Sequence, residues 1–222
     1  MAIEETILLG SELGSSPNTL RFWTNSRSAI IGISQNPIKE IDLEACSKYH
    51  VAIVKRFTGG GTVYNDLGNL NWTIVINKNS LPKDIEGVLE IYKKMSQSMI
   101  LALKNLDIKA NFISPNSIFL FNKKISGLAM YVKSKSILCH GTLLIDSDLN
   151  ILDSVLKNLK NPVTNINDNI DIKVSKNEII NELIKTLSKT YNIKLLLGKR
   201  TIEEKKIIKK LDLKKYKPNI RF

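Results

Sequence analysis

Three consecutive glycines, Gly59, Gly60 and Gly61, stand inside strand-forming sequence, in the stretch KRFTGGGTVYNDLGNLNWTIVI from Lys55 to Ile76. Glycine gives up the most backbone freedom on folding and packs no side chain, so a run of three in a strand context is costly. Such a run is kept where another group must come close to the backbone. The basic pair Lys55–Arg56 precedes it, and an Asp66–Leu67–Gly68–Asn69 turn separates it from a second strand pattern. The stretch predicts strand, loop, turn and strand, with a ligand lying along the loop and the remaining chain built around it.

At 222 residues the chain has room for one domain, or for one large and one small, and its 43% hydrophobic content supplies a sizeable core. No apolar run reaches the ~20 residues of a membrane span. The acids of MAIEETILLG stand where an export signal carries basic residues. Cys46 and Cys139 do not make a disulfide framework, so a reducing cytoplasm is the expected location. The net charge of +12 is uneven: from Lys194 to Phe222 eleven Lys or Arg face three acids. One reading is an acidic partner, protein or nucleic acid. For nucleic acid a solvated helix face is favoured instead, because only Tyr216 and Phe222 supply aromatic interleaving there.

Ala2 to Gly10 reads as a short helix with Ile3, Thr6, Ile7 and Leu8 partly inward. Leu20–Trp23 and Ala29–Ile33 read as strands, and the turn signal Asn25–Ser26 predicts a hairpin between them. Asp42 caps a short helix reaching Tyr49, and Val51–Val54 is a strand feeding the glycine loop. After the strand Leu70–Ile76 and a turn over Asn77–Pro82, apolar residues from Ile85 to Leu103 recur at helical spacing. Ile118–Phe121 and Ile125–Val132 form a hairpin across Asn122–Lys123. Ile137–Ile145 is another strand, and a helix runs from Leu149 to Leu159. The Asn/Asp-rich stretch Asn161–Asp171 is read as a boundary. It divides a core over 1–165 from a helical C-terminal segment over 166–222 packed on the same domain. Capping boxes at Ser175/Glu178 and Thr201/Glu204 start the two helices of that segment. The element order implies an α+β fold, with helices against mixed or antiparallel sheets.

Three stretches can carry chemistry. Backbone N–H groups bared by glycines can cradle an anion. The loop is neither a Walker loop nor a G-x-G-x-x-G element, and a tight bulge between strands accounts for three glycines equally well. Arg56 has the fork that pairs with phosphate or carboxylate, although a surface strand charge accounts for it taken alone. Lys124, in Lys123–Lys124–Ile125–Ser126–Gly127, starts a strand and can reach a cleft to hold developing negative charge. Among 33 Lys and Arg a single lysine carries little weight. His140, in Cys139–His140–Gly141–Thr142, is a candidate base, and in an apolar strand a hydrogen-bonded structural role fits it as well. Cys139 lacks a basic cluster to lower its thiol pKa and reads as a buried apolar thiol. No CxxC or HExxH spacing occurs, so no metal site built by protein alone is expected.

Taken together, these stretches resemble the lipoate–protein ligase A family, within the biotin/lipoate ligase superfamily. The family pattern R-R-x-x-G-G-G-x-V-x-H-D-x-G-N is close to KRFTGGGTVYNDLGN, and K-[VI]-S-G stands here as KISG. H-G-T-L-L stands as His140 to Leu144. FW-x-N and IG-x-x-QNP stand as Phe22–Asn25 and Ile31–Pro37. The blocks keep the family order over residues 22–144. The resemblance implies a class II biotin/lipoate ligase-like catalytic domain. It implies activation of lipoate with ATP to lipoyl-AMP and pyrophosphate. Transfer of the lipoyl group would follow, to a lysine of a lipoyl domain in 2-oxoacid dehydrogenases or of the glycine-cleavage H protein.

By position, the resemblance puts Arg56 on the nucleotide phosphates, and Gly59, Gly60, Gly61, Thr62, Val63 and Tyr64 along the adenylate. Asn69 falls near the phosphate. Lys124 falls on the lipoyl carbonyl and the α-phosphate. Gly127, His140, Gly141 and Thr142 are secondary candidates, as is Asp66 for a Mg2+ ion carried by ATP. Val63, Trp72 and Ile31 are candidates to line a tunnel for the apolar arm of lipoate, and a core role also fits each.

Three departures from the family pattern stand out. Asn65 occupies the place of the histidine before Asp66. The chain starts at MAIEE, where relatives have a preceding strand. It stops at Phe222, where many relatives carry an accessory domain and some keep that domain on a separate chain. A partner subunit is therefore expected for adenylation, docking near the basic tail. The competing readings are an acyl-carrier-protein-dependent octanoyltransferase of the same fold, a biotin ligase, and a non-catalytic subunit binding a partner or nucleic acid. The transferase needs a cysteine near Asn111, and none lies between Cys46 and Cys139. Biotin ligases interrupt the glycine run with arginines.

Overall fold

In the computed structural model, which describes residues 1–81, 85 and 87–216, the chain opens with α1 (Ala2–Glu12), β1 (Thr19–Trp23), β2 (Ser28–Ile31), α2 (Pro37–Glu40), α3 (Leu43–Lys48) and β3 (Ala52–Lys55). It continues through β4 (Val63–Asn65), β5 (Asn69–Asn77), α4 (Gly87–Asn105), β6 (Asn111–Ile113), β7 (Ser117–Leu120), β8 (Lys123–Val132) and β9 (Ser136–Leu144). It closes with α5 (Leu149–Val155), α6 (Lys176–Tyr191) and α7 (Ile202–Leu211). Six strands form an antiparallel sheet in the order β1–β5–β9–β8–β7–β6. Three form a mixed sheet, β3–β2–β4, in which β2 runs parallel to β3 and antiparallel to β4. This is the α+β architecture implied by the element order.

The register of β5 on β9 sorts the large sheet into two faces, because successive side chains on a strand point to opposite sides. Leu70, Trp72, Ile74 and Ile76 lie opposite Leu143, Gly141, Cys139 and Ile137. That face is apolar and packs on α4 and α6 through Met95, Met99, Leu103, Ile179 and Leu183. The methionines of α4 are therefore core filler, a use that suits their flexible side chains. Asn71, Thr73 and Val75 share the other face with Thr142, His140 and Leu138. Its apolar end meets Ile7 and Leu8 of α1 and Phe57. Its polar end is left facing the small sheet, which has its own core with α3 and α5 through Ile31, Tyr64, Cys46, Leu152 and Val155.

Local signals hold where one element settles the matter. Asp42 accepts the Ala45 N–H at 2.8 Å and caps α3. Both capping boxes form. Phe121 and Asn122 have φ of 46° and 62°, the left-handed pair that a two-residue hairpin loop requires, so β7 and β8 form the expected hairpin with its turn one residue earlier and Lys123 inside β8.

Two expectations fail because pairing is decided at longer range. The hairpin across Asn25–Ser26 does not form: β1 pairs with β5 in the large sheet, whereas β2 joins the small one. The helix after β9 ends at Val155, and Leu156 bridges Ile41 instead. The stretch Asn161–Asp171 is tied to the sheet: Ile166, fully buried, donates its N–H to the Leu144 carbonyl at 2.9 Å. Of the turn expected over Asn77–Pro82, Lys78–Ser80 is a single 3-10 turn and Pro82 lies outside the described residues. Residues 217–222 of the basic tail lie outside them too.

Gly32 ties the small sheet to the glycine loop. A Cβ there would sit 2.1 Å from the Gly60 carbonyl oxygen. Gly32→Ala is expected to force the loop away at a cost of about 2 kcal/mol. Thermal unfolding checks this as a drop of several degrees in Tm.

Candidate active site

The glycine run divides by what each residue does. Gly60 has φ of +89°, a left-handed conformation strained for any L side chain, and a Cβ there would lie 3.1 Å from an Arg56 nitrogen. Around Gly59 and Gly61 no described atom beyond the adjacent residues of the chain lies within 4 Å of the Cβ position. The chain's own fold therefore demands only the middle glycine. The outer two leave room beside an exposed backbone.

Arg56 follows β3 and is 5% exposed. Its Nε donates to Thr58 Oγ1 at 3.0 Å and its Nη1 to the Ile30 carbonyl at 2.9 Å. Its Nη2 donates to the carbonyls of Gly59 at 2.7 Å and Gly61 at 2.8 Å. The guanidinium thus fastens both ends of the glycine loop to β2. Burial, stronger than the field of Tyr92 and Glu4, brings its pKa down to about 10.

Lys124 reaches the same cleft through a break in β8. Ser117 and Ile118 pair with Gly127 and Ser126, but the next residue, Phe119, pairs with Lys124. Ile125 is skipped, as in a β-bulge, and is fully buried in the core. Strict alternation would place Lys124 on the helix-packed face with Leu128. The skipped residue turns it to the face of Gly127 and Ala129, where Ala129 pairs with His140. Residues 162–164 hold it there: Lys124 donates its N–H to Pro162 at 2.8 Å and accepts that of Thr164 at 3.1 Å. A Cβ at Gly127 would lie 3.1 Å from both Cε and Nζ of Lys124. The glycine of KISG is therefore the floor on which the lysine lies. Burial, helped by the charges of Arg56 and Lys160, holds the Lys124 pKa below the ordinary lysine range.

Between the two sheets lies a cleft of about 720 Å³. Its lining includes Arg56, Gly60, Gly61, Thr62, Val63 and Tyr64 on one side, and Lys124, Gly127, His140, Gly141 and Thr142 on the other. Asn65, in the place of the family histidine, also borders it. Among the described residues, no carboxylate lies within ion-pair distance of Arg56 or Lys124. Glu40, which also borders the cleft, accepts the Thr62 hydroxyl at 3.1 Å and is paired with neither cation, so the two desolvated cations are left to meet an anion from solution.

Other sequence candidates sit elsewhere. Asn69 is fully buried, and its Oδ1 accepts from Asp66 N at 2.9 Å and Ser147 Oγ at 2.8 Å. Asp66 takes the Gly68 N–H on one carboxylate oxygen at 2.7 Å and the Asp148 N–H on the other at 2.8 Å. Both brace the turn behind the loop. Each Asp66 oxygen holds a backbone N–H, and Asp66 is not among the residues bordering the cleft. Trp72 and Ile31 are buried in the two cores, and Val63 alone of the tunnel candidates borders the cleft. Cys139 lies on the helix-packed face of β9, fully buried, and burial pushes its thiol pKa up.

Glu4 and Thr58 escaped sequence reasoning. Glu4 is fully buried and its Oε1 meets His140 Nδ1 at 2.8 Å. Its only signal was position: it lies one helical turn before the buried Leu8.

Fold and site together define an α+β domain with a cleft between two sheets bordered by Arg56 and Lys124. The chain belongs to the lipoyl protein ligase A/B catalytic domain family, whose model matches residues 1–188. It is 31% identical over 205 residues to lipoate-protein ligase LplJ of Bacillus subtilis, covering 87% of this chain and 60% of that one. It is 29% identical over 238 residues to lipoate-protein ligase A subunit 1 of Thermoplasma acidophilum, covering 97% and 88%. A Mycoplasma pneumoniae relative is 32% identical over 155 residues, 70% of this chain and 44% of that one. The chain thus spans about half the length of the two bacterial relatives. Among solved structures, a lipoate-protein ligase A bound with ATP superposes with TM-score 0.86 at 30% identity, over 96% of this chain and 88% of that one. A structure of a bi-partite lipoate protein ligase and its E2 lipoyl domain from T. acidophilum gives 0.81 at 29%, over 96% and 86%. No described helix is long and apolar enough to cross a membrane.

Proposed function

We propose that this chain is the catalytic part of an ATP-dependent lipoate–protein ligase. In the first step a lipoate carboxylate oxygen attacks the α-phosphorus of ATP, and pyrophosphate leaves. In the second, the amine of an acceptor lysine attacks the carbonyl of lipoyl-AMP, and AMP leaves. The observation that carries this reading is the meeting of two cations without a carboxylate partner among the described residues, buried Arg56 and half-buried Lys124, over a glycine-lined cleft. Both reactants are anionic, and charge passes from the carboxylate to the phosphoryl oxygens and the departing pyrophosphate, where cations already placed in a desolvated cleft stabilise it. Lys124 lies against Gly127 with its ammonium at the cleft. Arg56 is tied to the loop and supplies charge and shape. Mg2+ would ride on the nucleotide phosphates.

The acceptors in this reading are lipoyl domains of 2-oxoacid dehydrogenases or the glycine-cleavage H protein. A separate accessory chain completes the enzyme, in keeping with relatives named as subunit 1 and as bi-partite. The helical segment after residue 165 is read as part of the catalytic domain, a reading supported by α6 sharing the core of α4. The thiol-dependent transferase reading loses ground from Cys139, which faces the helices and not the cleft.

Lipoate-dependent ATP–pyrophosphate exchange tests the proposal, run with lipoate, octanoate and biotin side by side and with the candidate partner present. Exchange with lipoate, unchanged in Cys139→Ser, is the expected result. Absence of exchange with every acyl acid, alongside acyl transfer lost in Cys139→Ser, favours the transferase instead.

A further inference from the structure

A buried chain of hydrogen bonds runs from α1 to the glycine loop. Glu4 Oε1 meets His140 Nδ1 at 2.8 Å and accepts the Thr73 hydroxyl at 2.5 Å. His140 Nε2 meets Thr58 Oγ1 at 2.8 Å, and Thr58 Oγ1 accepts Arg56 Nε–H at 3.0 Å. Glu4, Thr58, Arg56, Thr73 and His140 are each at most 6% exposed. The Met1 ammonium lies 3.8 Å from the other Glu4 oxygen.

The directions of these bonds can be assigned from donor and acceptor inventory. A guanidinium only donates, so the Thr58 oxygen is the acceptor toward Arg56. With a neutral imidazole, the Thr58 proton then goes to His140 Nε2. That tautomer carries its proton on Nδ1 and gives it to the Glu4 carboxylate. Burial works to raise the Glu4 pKa, but His140, the Met1 ammonium and the Thr73 hydrogen bond bring it below the ordinary carboxylate value. Every donor in the chain has an acceptor, and the chain ends on the group that fastens the loop carbonyls.

We propose that Glu4, His140 and Thr58 are positioning residues, which fix the Arg56 guanidinium and through it the glycine loop in the ligand-accepting geometry. His140 in this assignment is not a base toward substrate: both ring nitrogens are committed inside the protein. Glu4 acts at two removes, by selecting the histidine tautomer. Only the nucleotide-binding arm of the test rests on the ligase reading.

Thr58→Val keeps the side-chain shape and removes the hydroxyl, and Thr58→Ser restores it. The Nε–H resonance of Arg56, identified by its loss in Arg56→Lys, reports the chain directly in 15N spectra of the full-length protein. Its exchange with water is expected to quicken about tenfold in Thr58→Val, with recovery in Thr58→Ser. ATP affinity, measured by titration without turnover, is expected to fall about tenfold in Thr58→Val and to recover likewise. Glu4→Gln, which keeps an acceptor for Nδ1–H, is expected to retain most of the Arg56 protection, and Glu4→Ala to lose it. A folded Thr58→Val with unchanged Arg56 exchange and unchanged ATP affinity overturns the proposal. An Arg56 signal that responds as expected in a protein without lipoate-dependent exchange leaves the positioning chain standing and removes the ligase reading.

Discussion

Lys124→Ala is expected to lower lipoate-dependent pyrophosphate exchange by about 10²- to 10³-fold while leaving the protein folded. The size follows from the loss of one preorganised donor at the point where charge develops. The retained fold follows from the geometry. Lys124 has no carboxylate partner among the described residues, and its ammonium rests on Gly127. Burial depresses its pKa, so the folded chain carries an unfavourable charge that the variant removes. Tm of the variant should equal or exceed that of the parent.

The sign of the pH dependence is set by the same shift. The folded pKa lies below the unfolded value, so between the two the unfolded chain binds more protons and stability rises with pH. That rise should vanish in Lys124→Ala. Anion affinity moves the other way, because binding needs the ammonium. It should fall as pH passes the folded pKa, below the ordinary lysine value of 10.5. Normal exchange in the variant would remove Lys124 from the chemistry.

Arg56→Met is expected to behave differently, losing stability as well as nucleotide affinity. The substitution deprives the carbonyls of Ile30, Gly59 and Gly61 of their donors. Water can reach part of the loop, so the loss is placed at about 2–3 kcal/mol, below the sum of three buried orphans. For a chain of this length that lowers Tm by roughly 5–10 °C. A surface strand charge, the plain reading of the residue from sequence, would cost within about 0.5 kcal/mol. Calorimetry therefore decides between them before any activity is measured. Losing little Tm in Arg56→Met would mean that the guanidinium does not fasten the loop.

The hairpin of β7 and β8 and the caps of α3, α6 and α7 were legible, because each depends on residues within a few positions of one another. The hairpin expected of β1 and β2 was not, because Leu20–Trp23 finds a better partner in β5, about fifty residues on. Asn69 and Asp66 show the same limit at the site. Their motif places them beside the glycine loop, but which side of the turn they face is set by Ser147 and Asp148. Glu4 looks in sequence like a helix-start carboxylate on a solvated turn, and it becomes a buried one only once β5 and β9 bring Thr73 and His140 against α1.

The sequence by itself determined the ingredients: a glycine run after an arginine, KISG, the HGTLL strand, and their order along an α+β chain. The tertiary structure alone decided which way Lys124 points. Alternation along β8 is a local rule and sends it to the helix-packed face. The skipped Ile125 reverses that, and the skip exists because Phe119 on β7 pairs with Lys124 while Pro162 and Thr164 hold its backbone from the other side. Strand register is a property of neighbours in space, so no reading of KISG alone could have placed its lysine over the glycine loop.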